Sequence, residues 1–389
     1  MKSRAKHPFR FYRYTGILLG LCMAVGSVAV VAEEHNQQKS ETDSVDRMSV
    51  VALDDTLAMA EALPRSGSPS AVPAETENSN RLPSNMSISG FLDIAGSYQK
   101  SAADRSNLFL HEAELDVVAA QSDRVSVALS ASYNTADENV SVCLATLGLQ
   151  AYRASHGIVT DATLTAGLFN PRFGIDYQCN ASPTRKLAIA PLVVQLTHQS
   201  WEDIGAEIEI TGPHANLAAF AVNGFEPSEE VMQDVINLVT GLGDTVDVTP
   251  ANAFGGRLGI VPFEGLEFGG SLAAGFNQSD ENEMLMYGAD FRLTRSIFDL
   301  RGEYILHSIN RTIRQQDNHG FYIQPTVIVG RVYGTFRYDS FLAEGHPEAT
   351  QLSVGAGYAI TPGVEVRVES MFASEHADNQ TVLQLFTTF

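Results

Sequence analysis

Ionisable residues in this chain recur two apart. Glu112, Glu114 and Asp116 form one row, Asp203, Glu207 and Glu209 a second, Asp299, Arg301 and Glu303 a third, and Glu365, Arg367 and Glu369 a fourth. Between them stand Ala113, Leu115 and Val117, then Ile204, Ile208 and Ile210, then Leu300, Gly302 and Tyr304, then Val364, Val366 and Val368. A period of two places each charged row on one face of a strand and each apolar row on the other. Such rows suit the electrostatic lining of an ion or solute path better than bond-making chemistry. A separate charged group lies in the polar stretch 171–202. Arg172, Arg185 and Lys186 could face a solute there, with Asp176 opposing them, and Leu192, Val193, Val194 and Leu196 could pin the stretch to a wall. The other reading of that stretch is a cap over one mouth of the molecule.

Catalytic signatures are missing from the sequence. Its ten histidines give no His-Glu-x-x-His pattern, and there is no Gly-x-Ser-x-Gly elbow or glycine-rich phosphate loop opening a helix. His111, His198 and His319 read as lone polar residues, no cofactor is implied, and no metal centre is expected. The acidic stretch 277–283 reads as solvated, with a divalent cation or a calcium bridge to lipopolysaccharide as alternatives. Cys143 and Cys179 are the only cysteines after residue 32, too few for a disulfide framework. In an oxidising compartment they either pair, tethering 171–202 to a wall, or remain two free thiols.

The elements that carry the rows are short alternating runs punctuated by turn residues, recurring from Met86 to the terminal Phe389. About sixteen fit, with fourteen left open because 124–152 is less regular. Their connections alternate in length. Tight links fall at 121–123, 211–214, 262–264, 294–296, 330 and 361–363, all even-to-odd. Long polar links fall at 171–202, 224–251, 308–318 and 341–348, all odd-to-even; the one loose fit is 153–159, an even-to-odd link longer than a tight turn. This parity predicts an even-stranded, transmembrane antiparallel β-barrel with both termini periplasmic, an all-β fold. Charged rows then face the lumen, because Arg or Lys on the lipid face costs ~2–4 kcal/mol near the midplane. A final strand ending on an aromatic residue suits closure against the first strand, which leaves no edge exposed. The rival, a large soluble two-sheet protein, would need its apolar faces packed on each other.

Ahead of the barrel, five Lys and Arg precede an apolar run over 17–31 and a Val30-Val31-Ala32 site, which predicts a signal peptide at 1–32. Cys22 follows Leu21, a poor match to a lipoprotein signal. Residues 33–85 read as a short amphipathic helix near 44–63, stopped by Pro64, and a flexible linker. That segment is either a periplasmic oligomerisation element or a partly disordered tail. With a formal charge of −21, made more negative by loss of 1–32, the chain is a poor nucleic-acid ligand.

Ala166-Gly-Leu-Phe-Asn-Pro-Arg-Phe-Gly174, the segment 185–196 and Trp201-Glu-Asp-Ile-Gly205 resemble the motif run of the phosphate-selective porins, the O and P porins of bacterial outer membranes. The resemblance covers mainly 86–225. It implies a sixteen-stranded channel, often trimeric, whose phosphate-binding members line the constriction with arginines and lysines. Here Arg172, Arg185, Lys186, Arg257, Arg292, Arg301, Arg331, Arg337 and Arg367 are the candidate basic lining, and each has acids nearby. The expected function is a water-filled outer-membrane channel for passive diffusion of small hydrophilic solutes or ions, with lipid and lipopolysaccharide around it. A phosphate- or anion-selective porin, and a non-conducting barrel serving as adhesin or enzyme scaffold, are the alternatives.

Overall fold

The computed structural model describes residues 85–99, 107–134, 139–179, 182–199, 201–224, 252–276, 283–310, 315–345, 347–374 and 379–389. The expected signal peptide, the helix and linker before residue 85, and the acidic stretch 277–282 lie outside them. Sixteen strands follow in chain order. They are β1 (Met86–Gln99), β2 (Asn107–Ser122), β3 (Val125–Asn134), β4 (Asn139–Arg153), β5 (Asp161–Phe169), β6 (Asp203–Thr211), β7 (Ala215–Val222) and β8 (Asn252–Phe263). The second half comprises β9 (Leu266–Phe276), β10 (Glu283–Arg295), β11 (Phe298–Asn310), β12 (Gln315–Val329), β13 (Val332–Leu342), β14 (Ala349–Thr361), β15 (Val364–Ala373) and β16 (Gln380–Thr388). Each pairs antiparallel with the next, and β1 pairs with β16 to close the barrel.

Closure runs from Phe91 opposite Thr388 to Gln99 opposite Gln380. Gly90 and Phe389 exchange two main-chain hydrogen bonds beyond it, of 3.2 and 3.1 Å. The terminal residue is therefore part of the seam, and every strand has two neighbours, which removes the unpaired edges an open sheet would present.

Period-two alternation sets the faces as the sequence implies. Leu115, Ile204, Ile208, Val368 and Leu383 are exposed on the outside, while Glu207, Arg301, Glu303, Arg367 and Glu369 are buried on the inside. An outward apolar belt around a closed sheet is the arrangement that lipid requires, since all backbone groups bond within the wall. The tight links are as short as two residues, and Gly330 and Gly363 take φ of 59° and 80° there, a region that costs a residue with a Cβ. The link 154–160 is longer than the others of its parity, and the main chain of Ala154 bonds across it to Thr160.

The less regular span 124–152 forms β3 and β4, with a register shift at Ser130/Ala131 that breaks the alternation. The expected polar loop 308–318 is mostly strand, since β11 and β12 extend until only 311–314 separate them. Polar residues on both faces hide this extension: Ser308 pairs with Asp317, and Asp317 N donates to Glu344. Beyond the apolar belt a strand has no reason to alternate.

Candidate lumen and its inserted loop

The described residues of the connection from β5 to β6 pack against the inner face of the barrel. Its Phe173, Leu187 and Val193 are almost wholly buried, at 0%, 1% and 0% exposure. Phe173, Val193, Val194 and Trp201 share a cluster with Phe220, Met284, Met286, Ile305, Tyr322 and Phe341 of the wall. A single helical turn, α1 (Leu192–Gln195), carries two of these residues. Farther round, Ala188 and Ile189 pack with Ala95, Val382 and Phe109.

Three wall glycines make the apolar seats. A Cβ on Gly288 would stand 3.1 Å from Phe173 Cζ, one on Gly320 3.0 Å from Val193 Cγ2, and one on Gly355 2.5 Å from Leu187 Cδ2. The absence of a side chain lets the loop approach the strands that closely.

Polar contacts fix the loop's main chain to the inner rows. Gly174 N donates to Ser271 Oγ at 2.9 Å, Ile189 N to Glu369 Oε2 at 3.0 Å, and Leu192 N to Asp339 Oδ1 at 2.9 Å. Arg337 donates to the carbonyls of Ile189 and Ala190 at 2.7 and 3.1 Å, and to Asp339 at 2.8 Å. Arg367 donates to the carbonyl of Arg185 at 2.6 Å and to Gln384 at 2.5 Å. At the loop's start Arg172 Nε lies 2.9 Å from Glu207, and Arg172 also pairs with Glu209. Burial alone would depress the Arg172 guanidinium, but those two carboxylates hold it above its ordinary value.

The candidate residues therefore divide. Arg172, Glu207, Glu209, Arg367 and Glu369 hold the loop. Glu365 accepts from Tyr333 Oη at 2.7 Å, and Lys186 lies 4.0 Å from Glu365 with its Nζ 4.6 Å above the Tyr333 ring. Asp176 is buried in the loop, and Arg301 donates to Gln324 at 3.2 Å. Glu303 lies under Gly174, where a Cβ would collide with its carboxylate. Arg257 pairs with Asp290 and Glu267, at 2.5 and 2.8 Å. Arg331 is not lining: it sits in the β12–β13 turn, exposed, donating to the carbonyl of Ile360. A turn residue escapes the alternation that placed the others.

On β2, Glu114 and Asp116 face neutral partners. Glu114 is 3.7 Å from the Cys143 thiol, and Asp116 accepts from Ser130. Glu112 lies near enough to Glu202 to act on it: burial first, then Glu112, pushes the Glu202 carboxyl up to about 7. Cys143 is a free thiol, and the side chain of its expected partner Cys179 lies outside the described residues. His198, in the loop, stacks edge-on against Phe173 at 5.1 Å, and burial pushes its imidazole down to about 4.

Sequence reasoning missed Asp93, Asp290, Asp339 and Gln384, all almost fully buried on the inner face. The signal was present in weak form, as single polar residues amid apolar runs, such as Asp93 between Leu92 and Ile94.

No protein-family model matches the chain, and no curated protein matches it in sequence. Solved structures do match. An anion-selective porin from Comamonas acidovorans aligns with a TM-score of 0.56 and 11% identity, over 78% of this chain and 99% of that one. The fold is that of outer-membrane porins. A loop-deletion mutant of OmpT, an outer membrane protein of Vibrio cholerae, aligns with a TM-score of 0.55 and 9% identity, over 78% and 99% of the two chains. The outer membrane channel DcaP of Acinetobacter baumannii gives 0.54 and 10%, over 78% and 97%. At these identities what is shared is the sixteen-stranded porin barrel.

Proposed function

We propose that the chain forms a water-filled channel for passive diffusion of small hydrophilic solutes or ions across the outer membrane, narrowed by residues 171–202 and preferring cations. The observation that carries the preference is the employment of the inner arginines. Arg172, Arg257, Arg337 and Arg367 are engaged by wall carboxylates, by Gln384 or by loop carbonyls. Asp116 of β2, half-buried and bonded to the uncharged Ser130, adds negative charge to the wall, and the chain as a whole carries a formal charge of −21. A lumen of that sign concentrates cations.

The phosphate- or anion-selective reading draws on the resemblance of 166–205 and on the similarity to the Comamonas porin. It requires guanidinium or ammonium groups presented to the solute, for which Arg185 and Lys186 are the candidates. A homotrimer belongs to the proposal as well, since the same fold occurs in a structure described as a trimer form.

Residues 33–389 reconstituted in a planar bilayer under a salt gradient should give stepwise currents with a reversal potential of cation-selective sign. Anion preference would sink the cation reading and promote the phosphate one. Absence of current from correctly folded protein would favour a non-conducting adhesin or scaffold.

A further inference from the structure

The side chain of His111 is placed by a register shift. Between β1 and β2 the pairing runs Asp93 to Glu112 and then Ile94 to Leu110, so His111 is the extra residue of a β-bulge. Bulges re-aim side chains, and this one turns the imidazole onto the inner face. His111 Nδ1 lies 2.9 Å from Asp93 Oδ2. Asp93 is 0% exposed, whereas the His111 side chain retains 35% exposure.

The chemistry of the pair fixes the tautomer. Gln384 Nε2 also donates to Asp93 Oδ2, at 2.9 Å, and Arg367 Nε donates to Gln384 Oε1. A carboxylate held in this way is an acceptor only, so the neutral imidazole must carry its proton on Nδ1. The lone pair is left on Nε2, which has no hydrogen-bond partner among the described residues. A buried carboxylate that orients an imidazole through Nδ1 and leaves Nε2 available is the support that metal-ligating histidines receive. Here it extends across the closing seam of the barrel, from Arg367 on β15 through Gln384 and Asp93 to His111 on β2.

We propose that His111 is a transit site for divalent transition-metal cations of the Zn2+ class, which ligate imidazole nitrogen. The proposal deepens the cation-channel reading and rests on it. The location favours an ion in passage. Phe109, two residues away, packs where Ala188 and Ile189 of the inserted loop meet the wall, and Glu112, Glu114 and Asp116 continue down the same strand. Among the described residues no three or more His, Cys, Asp or Glu side chains converge as a metal cage. One nitrogen, with water or a neighbouring carboxylate filling the remaining positions, binds weakly enough to release. Hard cations such as Mg2+ prefer oxygen and should pass the imidazole by.

Zn2+ and Mg2+ are added separately to the reconstituted channel, and block is scaled to each variant's own open current. Zn2+ should block wild type at lower concentration than Mg2+. His111→Ala should weaken Zn2+ block at least tenfold and leave Mg2+ block in place. Asp93→Asn should weaken Zn2+ block by about 10–100-fold, the usual cost of losing such a carboxylate. Equal Zn2+ block in wild type and His111→Ala, or parallel shifts for both metals, would overturn the proposal. Calorimetric Zn2+ titration of the detergent-solubilised barrel separates the two readings. A His111-dependent binding event in a barrel that carries no current would refute the channel and keep the site, and current without that event would do the reverse.

Discussion

Replacing Phe173 and Leu187 together with alanine removes two apolar anchors of the inserted loop and leaves every strand intact. Both side chains are almost wholly buried, at 0% and 1% exposure. Truncating a buried Phe costs about 3–5 kcal/mol and a buried Leu about 2–5 kcal/mol. The two seat against different strands, at Gly288 on β10 and Gly355 on β14, so the losses should add to roughly 5–10 kcal/mol of docking energy. The anchors that remain include Val193 and Val194 in the wall cluster, the Arg172 ion pairs, and the bonds from Arg337, Arg367, Asp339 and Glu369, each of the latter worth about 1.5–3 kcal/mol because a charged group takes part. Against them stands the conformational entropy of ordering the loop, about 1–2 kcal/mol per residue. The double variant should therefore hold its barrel and lose its docked loop. Trp201, the only tryptophan in the chain, is 3% exposed and donates through Nε1 to the carbonyl of Gly224 at 3.2 Å. Its emission should shift to the red and become quenchable by acrylamide, while single-channel currents grow larger and noisier and the far-ultraviolet β signal stays the same. A shielded Trp201 with unchanged currents would refute the reasoning, because the remaining anchors would then hold the loop. Loss of the β signal would refute it differently, by making the loop a support of the barrel.

Two further outcomes are expected. Unreduced protein alkylated under denaturing conditions should carry label on Cys143, a free thiol beside Glu114, and an unlabelled Cys143 would restore the bridge to Cys179. Acid should loosen the loop through His198. Its docked imidazole is pushed down to about 4 by burial among Phe173 and the neighbouring His307, with Asp176 opposing. A depressed histidine disfavours docking when protonated, so its contribution is complete above about pH 6.5 and falls as pH drops toward 4, by about 3 kcal/mol in all. Trp201 emission followed from pH 7 to 4 should move to the red, and less so in His198→Phe; an equal shift in both would assign the change elsewhere.

Strand count, closure and faces were legible in the sequence because each follows from local signals. Lipid enforces the outward apolar row of each strand, and the parity of the connections fixes an even number. The failures occurred where that enforcement lapses. Above the belt, 308–310 and 315–318 are mostly polar and still strand, since hydrogen bonds within the wall, rather than burial, hold them. In the turns, Arg331 alternates with nothing. At the bulge, one extra residue between Leu110 and Glu112 changes which side chains share the lumen, and nothing in the local composition announces it.

The charge of the lumen was the least legible property, for a reason that goes beyond counting. Arg337 and Arg367 look, in the sequence, like rungs of an anion ladder, because alternation puts both on the inner face. Their guanidinium groups are instead directed at carbonyls of Ile189, Ala190 and Arg185, residues nearly 150 to more than 180 positions away in the chain. A loop crossing a lumen brings main-chain carbonyls that need donors, and a planar guanidinium with five N–H groups meets that need while also satisfying a wall acid or amide. An inner arginine can therefore be the consequence of an inserted loop. The same reasoning accounts for the uneven wall: Arg172, Arg337 and Arg367 are turned to the docked loop and its neighbouring wall groups, and Asp116 on β2, half-exposed, presents charge that a passing ion would meet.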